Sequence, residues 1–190
     1  MAGRADSRAD SGAKPDGGTE RLVAGCIACL EQCGDLLRDM PGVVFTASGG
    51  GNSPIGTHVR HIIDRYRCFF EGLSQARINY DDRRRGTPVE TGPKAALAAI
   101  ADTRNRLDRF DPAPHSRKVQ VCELVHHDGV ATSVESTIDR ELMGLISHSI
   151  HHLAIIAMLA RSHGHPVPEH LGKAPSTLAA TPPPRRGTLP

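Results

Sequence analysis

The sequence predicts an all-α fold, a four-helix bundle with a minor β-hairpin between its third and fourth helices. Three observations carry that prediction. Four segments repeat apolar residues at three- and four-residue steps, the pattern of a helix with one buried face. Pro and Gly punctuate the chain between them, at Pro41-Gly42, across residues 48–52, at Pro112 and Pro114, and at Gly164 and Pro166. A chain of 190 residues is long enough for a single domain with a real core.

The elements follow in order. Residues 1–18 are polar and Gly-rich, with the tandem Arg4-Ala5-Asp6-Ser7 and Arg8-Ala9-Asp10-Ser11, and are expected to form a disordered tail. The first helix is predicted over residues 19–40, where Leu22, Cys26, Cys29, Cys33, Leu36, Leu37 and Met40 make one stripe. A second starts after the Gly-rich loop, with Ser53 as its cap and Pro54 at its first position. Ile55, Val59, Ile62, Tyr66, Phe69 and Leu73 line its inner face. Residues 75–90 are polar and read as a long loop. The third helix is predicted over residues 91–110 on Leu97, Ile100, Leu107 and Phe110, with four alanines adding propensity. Val119 and Val121, then Asp128-Gly129, then Val130, Thr132 and Val134 read as a hairpin, which must pack on the helices because a lone hairpin is marginal. The fourth helix begins near Ser136 or Thr137 and runs to Ser162, with Ile138, Leu142, Leu145, Ile146, Leu153, Ile156 and Leu159 inward. Residues 179–190, with three consecutive prolines and Arg185-Arg186, read as a second disordered tail.

Composition excludes several classes of function. Twenty-three basic residues against 21 acidic ones leave a net charge of +2, too little to attract nucleic acid, and 3% aromatic residues without Trp make no base-stacking surface. No uninterrupted apolar run approaches the roughly 18 residues of a membrane span, and the N-terminal stretch lacks a signal-peptide core. The expected compartment is the cytoplasm. Five cysteines, an odd number, argue against a disulfide framework. Cys26, Cys29 and Cys33 share one helix face, and without a preceding strand they read as small core residues rather than a redox motif.

Eleven histidines are the unusual figure. His148 and His152 are one helical turn apart at the edge of the apolar stripe, so both imidazoles can reach one ion. His151 projects outward. The second helix offers His58 and His61 beside its own stripe, and periodicity does not choose between them as a third ligand. Three neutral imidazoles leave a divalent ion its charge and an open position, as in catalytic rather than closed structural sites. Imidazole suits Zn, Ni and Fe(II) alike. Against this stands the brevity of His-x-x-x-His, which often occurs on helices that bind no metal. There is also no Glu between the ligands as in His-Glu-x-x-His proteases.

Three pieces of sequence resemble the DinB-like superfamily of metal-binding four-helix proteins: Ile55-Gly56-Thr57-His58-Val59-Arg60-His61-Ile62-Ile63-Asp64; Arg140-Glu141-Leu142 with His148-Ser149-Ile150-His151-His152; and Gly172-Lys173-Ala174-Pro175-Ser176-Thr177-Leu178. Asn79-Tyr80-Asp81-Asp82-Arg83 resembles a loop of one branch of that family, so the likeness extends over residues 19–178. The resemblance implies that His61, which precedes Ile62-Ile63-Asp64, joins His148 and His152 as metal ligand, with His58 as a fallback or outer partner. It also implies thiol-dependent transfer or isomerisation of a small-molecule substrate, since relatives include thiol-dependent S-transferases and a maleylpyruvate isomerase.

Other polar residues near these motifs carry weaker expectations. Arg60 and Arg140 are candidates to hold an anionic substrate, with salt-bridge or solvated roles as the plainer reading. Asp64 is either an acceptor for an imidazole or a surface charge, Tyr80 is a candidate proton donor, and Arg83-Arg84-Arg85 reads as a solvated run, with a grip on an acidic thiol cofactor or partner as the alternative. The functional expectation is a metalloenzyme that activates a low-molecular-weight thiol or water against a small electrophile. The rivals are a non-catalytic module stapled by its metal, and a helical interaction protein without metal. A homodimer through an exposed helix face fits any of them.

Overall fold

The computed structural model describes residues 17–48, 53–113 and 117–180. The chain is mostly helical, with a small three-stranded sheet. Its four long helices are α1 (Gly17–Arg38), α3 (Ile55–Gly72), α5 (Pro93–Asp108) and α6 (Ile138–Ser162). Short helices α2 (Gly42–Thr46) and α4 (Pro88–Thr91) lie in the connections, and α7 (Pro175–Ala180) follows α6. α1 packs on α5 and α6, and α3 packs on α6 and α5, so one core lies among the four.

The predicted stripes are what they bury. Cys26, Leu30, Cys33 and Leu37 of α1 meet Val59, Ile62, Tyr66 and Phe69 of α3 and Leu142, Leu145, Leu153 and Ile156 of α6 in one continuous cluster. Thr137 caps α6: its side chain accepts a hydrogen bond from the Arg140 backbone N–H at 3.2 Å. A cap of this kind supplies one of the four amide partners that a helix start lacks.

Several boundaries move. Gly17 and Gly18, expected in the tail, open α1, while the preceding residues lie outside the described ones. Ser53 makes no capping bond; Pro54 is itself the cap position, and its carbonyl accepts from the Thr57 and His58 amides. The predicted third helix is α5, which starts at Pro93 and ends at Asp108; Thr91 instead closes α4, a short helix inside the expected long loop, and Gly92 turns the chain out of it with φ −134°. Residues 179 and 180, expected in the C-terminal tail, close α7; those beyond lie outside the described residues, as do the loop residues 49–52. Gly172 holds a left-handed turn (φ +73°) directly on α6, where a Cβ would come within 2.5 Å of the Ala154 backbone. The tail motif is therefore packed onto the helix that carries His148 and His152.

The sheet exceeds the predicted hairpin. β2 (Lys118–Leu124) and β3 (Ala131–Thr137) pair antiparallel through a six-residue connection that contains Gly129 at φ +79°. A third strand, β1 (Arg77–Asn79), joins β2 in parallel, with Ile78 fully buried between flanking polar residues. It lies inside the expected long loop, where a single apolar residue gives no period to read. By length and composition α6 could also cross a membrane. A count of uninterrupted apolar residues misses this because Gly, Ser and His break the run. Here its apolar stripe faces α1 and α3, and helices lining a core meet the same criterion.

Candidate metal centre

α3 and α6 pack side by side, which brings His61 of one helix between His148 and His152 of the other. Ring centroids are 4.8 Å from His61 to His148, 4.8 Å from His61 to His152, and 4.6 Å between His148 and His152. One nitrogen from each ring lies within 4.8 Å of the others, so these three histidines form a group able to hold a metal ion. A tetrahedral ion with bonds of about 2.1 Å sets its nitrogens about 3.4 Å apart, so the rings would close by an ångström or so around it.

One atom points to a missing partner. His148 Nε2 is buried and has no hydrogen-bond partner among the described residues. Buried polar atoms are almost always satisfied, and a cation among three imidazoles would satisfy this one. The donor set fits a borderline-soft divalent ion.

The fourth histidine stands behind the third. His58 Nδ1 lies 3.0 Å from His152 Nδ1. With its Nδ1 engaged there, His152 is left with Nε2 for the centre. Metal-binding histidines commonly donate their second N–H to such an acceptor, which locks tautomer and ring plane. The structure thus separates the two α3 histidines that periodicity leaves equivalent: His61 belongs to the cluster, His58 backs His152. His151 is exposed, as expected.

Electrostatics keep the cluster neutral. The pKa values of His61, His148 and His152 are each lowered to about 3, first by burial and then by neighbouring charge. For His61 that charge comes from His152, Arg83, Arg65 and Arg60; for His148 it comes chiefly from Arg65 and His61. Burial, then His151, also lowers the His58 pKa. Neutral imidazole is the ligating form.

Arg65 is the residue that sequence reasoning passed over, although it lies one turn beyond His61. Its guanidinium sits 3.6 Å over the Tyr80 ring and pairs with Glu123 at 2.5 Å. Tyr80 is buried and its hydroxyl donates to Glu141 Oε2 at 2.8 Å, while burial and Glu141 push its pKa far up. It is held as a donor within the protein rather than poised to release a proton. Between α3, α6 and the sheet these groups wall a cleft of about 380 Å³ that also touches Arg140 and Gly144. A larger hollow of about 470 Å³ between α1 and α5 contains no histidine.

The remaining charged residues resolve into structure. Arg60, expected near substrate or solvent, is buried and paired with Asp64 (2.5 Å) and Glu90. Asp64 is neither a surface charge nor an imidazole acceptor: it is buried, and also accepts from Arg67 Nε at 3.4 Å and the Arg84 backbone N–H at 3.1 Å. In the triple-arginine run, Arg84 pairs with Glu71 at 3.0 Å and Arg83 stands 4.0 Å from Asp81. The cysteines are core: Cys26, Cys29 and Cys33 are buried and free, with burial pushing their thiols up to about 12, 11 and 12.

No family model matches the chain, and no solved structure matches it. It is similar to FK506-binding protein 5 of Rhizopus delemar, with 30% identity over 102 residues, which is 53% of this chain and 26% of that protein. The likeness thus covers a minor part of that protein, whose name describes FK506 binding.

Proposed function

We propose that the chain is a DinB-like four-helix-bundle metalloenzyme in which His61, His148 and His152 hold one divalent ion, Zn, Ni or Fe. In this reading a low-molecular-weight thiol, or water, is activated for attack on a small electrophile. The supporting observation is the convergence of three neutral imidazoles from two helices around the unpartnered Nε2 of His148. When bound, the ion supplies Lewis acidity that favours the deprotonated nucleophile near neutral pH.

The chain's own residues do the rest. His58 fixes the ring of His152. Burial between α3 and α6 keeps the ligands free of protons, so metal does not compete with acid at neutral pH. Arg65, held by Tyr80 and Glu123, places a fixed positive charge beside the centre, where an anionic nucleophile gains most. Five free cysteines support a reducing compartment such as the cytoplasm.

The test strips the metal, restores it, and measures conjugation of a reactive electrophile with several small thiols, beside hydrolysis without thiol. Turnover that needs metal and disappears in His148→Ala is the expected result. Absence of metal-dependent turnover with every nucleophile counts against it. A second reading rests on the same bridging of α3 and α6: the ion is a staple, and its removal then lowers the melting temperature steeply while no turnover is found.

A further inference from the structure

The sheet ends on an open edge. Its strand order is β1-β2-β3, so among the described residues β3 has β2 on one side and no strand on the other. The alternation of backbone bonds fixes what that edge presents. Gln120 N–H donates to the Ala76 carbonyl and the Cys122 carbonyl accepts from the Tyr80 amide, so both residues turn their backbone toward β1. The alternate residues Val119, Val121 and Glu123 therefore turn theirs toward β3, where they oppose Ser136, Val134 and Thr132. Ser133 and Glu135, lying between those, aim their N–H and C=O groups outward.

Nothing in the sequence of β3 guards this edge. Open strands are usually blunted by a proline, a lysine, a bulge or a very short run. β3 has seven residues in unbroken register with β2, with neither proline nor lysine, and its one charge, Glu135, is paired with Lys118 of β2 at 3.1 Å. An apolar side chain is also left bare at its centre. Val134 opposes Val121 on the sheet face that carries the core residues Val119 and Val121, yet Val121 is 8% exposed and Val134 54%.

We propose that β3 pairs antiparallel with β3 of a second copy of this chain, joining two three-stranded sheets into one across a twofold axis at Val134. Bond parity and charge select this register. Only outward-facing residues exchange hydrogen bonds across the new seam, so each of them must oppose another such residue. An axis at Glu135 sets like charges face to face, and one at Ser133 sets Val134 against Thr132. An axis at Val134 instead opposes Glu135 to Ser133, whose backbones exchange N–H and C=O bonds. It brings the two valines together as a non-hydrogen-bonded pair, the closer kind, and each covers the other. Ala131 then opposes Thr137, so the whole strand is used. This contact runs through a sheet edge rather than a helix face, and it does not rest on the metal reading.

The test is sedimentation of the full chain over a rising concentration series, with chelator present so that no ion bridges two copies. The average mass should climb from 20.3 kDa toward twice that value. Ser133→Pro removes an outward N–H without touching the β2 ladder and should weaken dimerisation about tenfold or more. Ser133→Glu, set against Glu135 of the second copy, should weaken it too, while Ser133→Lys should tighten it about threefold. All three should keep the wild-type circular dichroism; if proline unfolds the chain, Ser133→Glu and Ser133→Lys still decide. Val134→Cys should give a disulfide-linked dimer with oxidised glutathione. Thr132→Cys should not, because its two copies lie about 14 Å apart in this register. A chain that stays monomeric throughout leaves the edge to water or to an extended segment of another protein, and overturns the proposal. So does a dimer indifferent to the charge at position 133, or one that cross-links through Thr132→Cys but not through Val134→Cys.

Discussion

Two polar stripes run along neighbouring faces of α3, and they end differently. Arg60, Asp64, Arg67 and Glu71 close on one another and on the loop beyond β1: Arg67 reaches Glu71 at 2.5 Å and Asp82 at 3.2 Å, and Asp64 takes bonds from three groups. His58, His61 and Arg65 form the other stripe: Arg65 is tied to Glu123, but facing His61 the buried His148 Nε2 lacks a hydrogen-bond partner among the described residues. Charges that balance internally are architecture, and their value lies in being kept together. Neutral lone pairs aimed at one point, with nothing to receive them, are a request for a ligand. The same helix does both jobs because its stripes are offset by about 120°.

The comparison breaks most visibly at Asp64. Asp64→Ala takes from the buried Arg60 and Arg67 the carboxylate they share, leaving them Glu90, Glu71 and Asp82, and should cost on the order of 3 kcal/mol in urea denaturation, since removing one member of a buried ion network is strongly destabilising. Asp64→Asn, which keeps hydrogen-bond acceptors, should cost less. A loss no larger than that of an exposed pair such as Lys173–Glu169 (2.9 Å) would mean the clamp is ornamental.

His58→Ala should leave the fold intact and weaken metal binding by about 10–100-fold, the usual toll for losing a ligand's outer partner. His58→Asn, which restores an acceptor near Nδ1 of His152, should recover part of that in competition with a chromophoric chelator. Unchanged affinity in His58→Ala would remove His58 from the centre.

Acidification sharpens the contrast in the metal-free protein. The triad imidazoles have folded pKa values lowered from 6.5 to about 3, so between those limits the unfolded chain binds protons that the folded chain refuses. Stability is therefore fully present above about pH 6.5 and falls as pH drops through that window. The urea midpoint should be lower at pH 5 than at pH 7.5, with a flatter profile in the variant carrying His61→Ala, His148→Ala and His152→Ala. Equal pH dependence in both proteins would show that burial does not hold the rings neutral.

The smallest effect is expected at the start of α6. Thr137→Ala removes the cap on Arg140 N–H and should cost about 1 kcal/mol in the same denaturation assay, with metal affinity unchanged.

What the chain discloses before folding depends on range. Helical stripes and the His148–His152 step are local periodicities, so Leu142, Leu145 and Leu153 could be placed inside and both histidines at the stripe's edge. The choice of His61 over His58 needed the resemblance, because both flank the same apolar face; in the structure a 3.0 Å contact separates their roles. The clamp was illegible for a different reason. Asp64 reaches Arg84 across 20 residues and Arg65 reaches Glu123 across 58, and no pattern of spacing announces such pairs. β1 was hidden likewise, since Ile78 is one apolar residue in a polar stretch and acquires strand character only from its partner Val121.

The central claim is coordination by three histidines from two helices, and metal content measures it most directly. Wild-type protein and the triple His61→Ala, His148→Ala, His152→Ala variant are equilibrated with zinc, dialysed, and assayed by elemental analysis alongside circular dichroism to confirm that both are folded. The account predicts about one ion per wild-type chain and none in the variant. A wild-type chain that retains no metal, or a folded variant that retains as much, contradicts it.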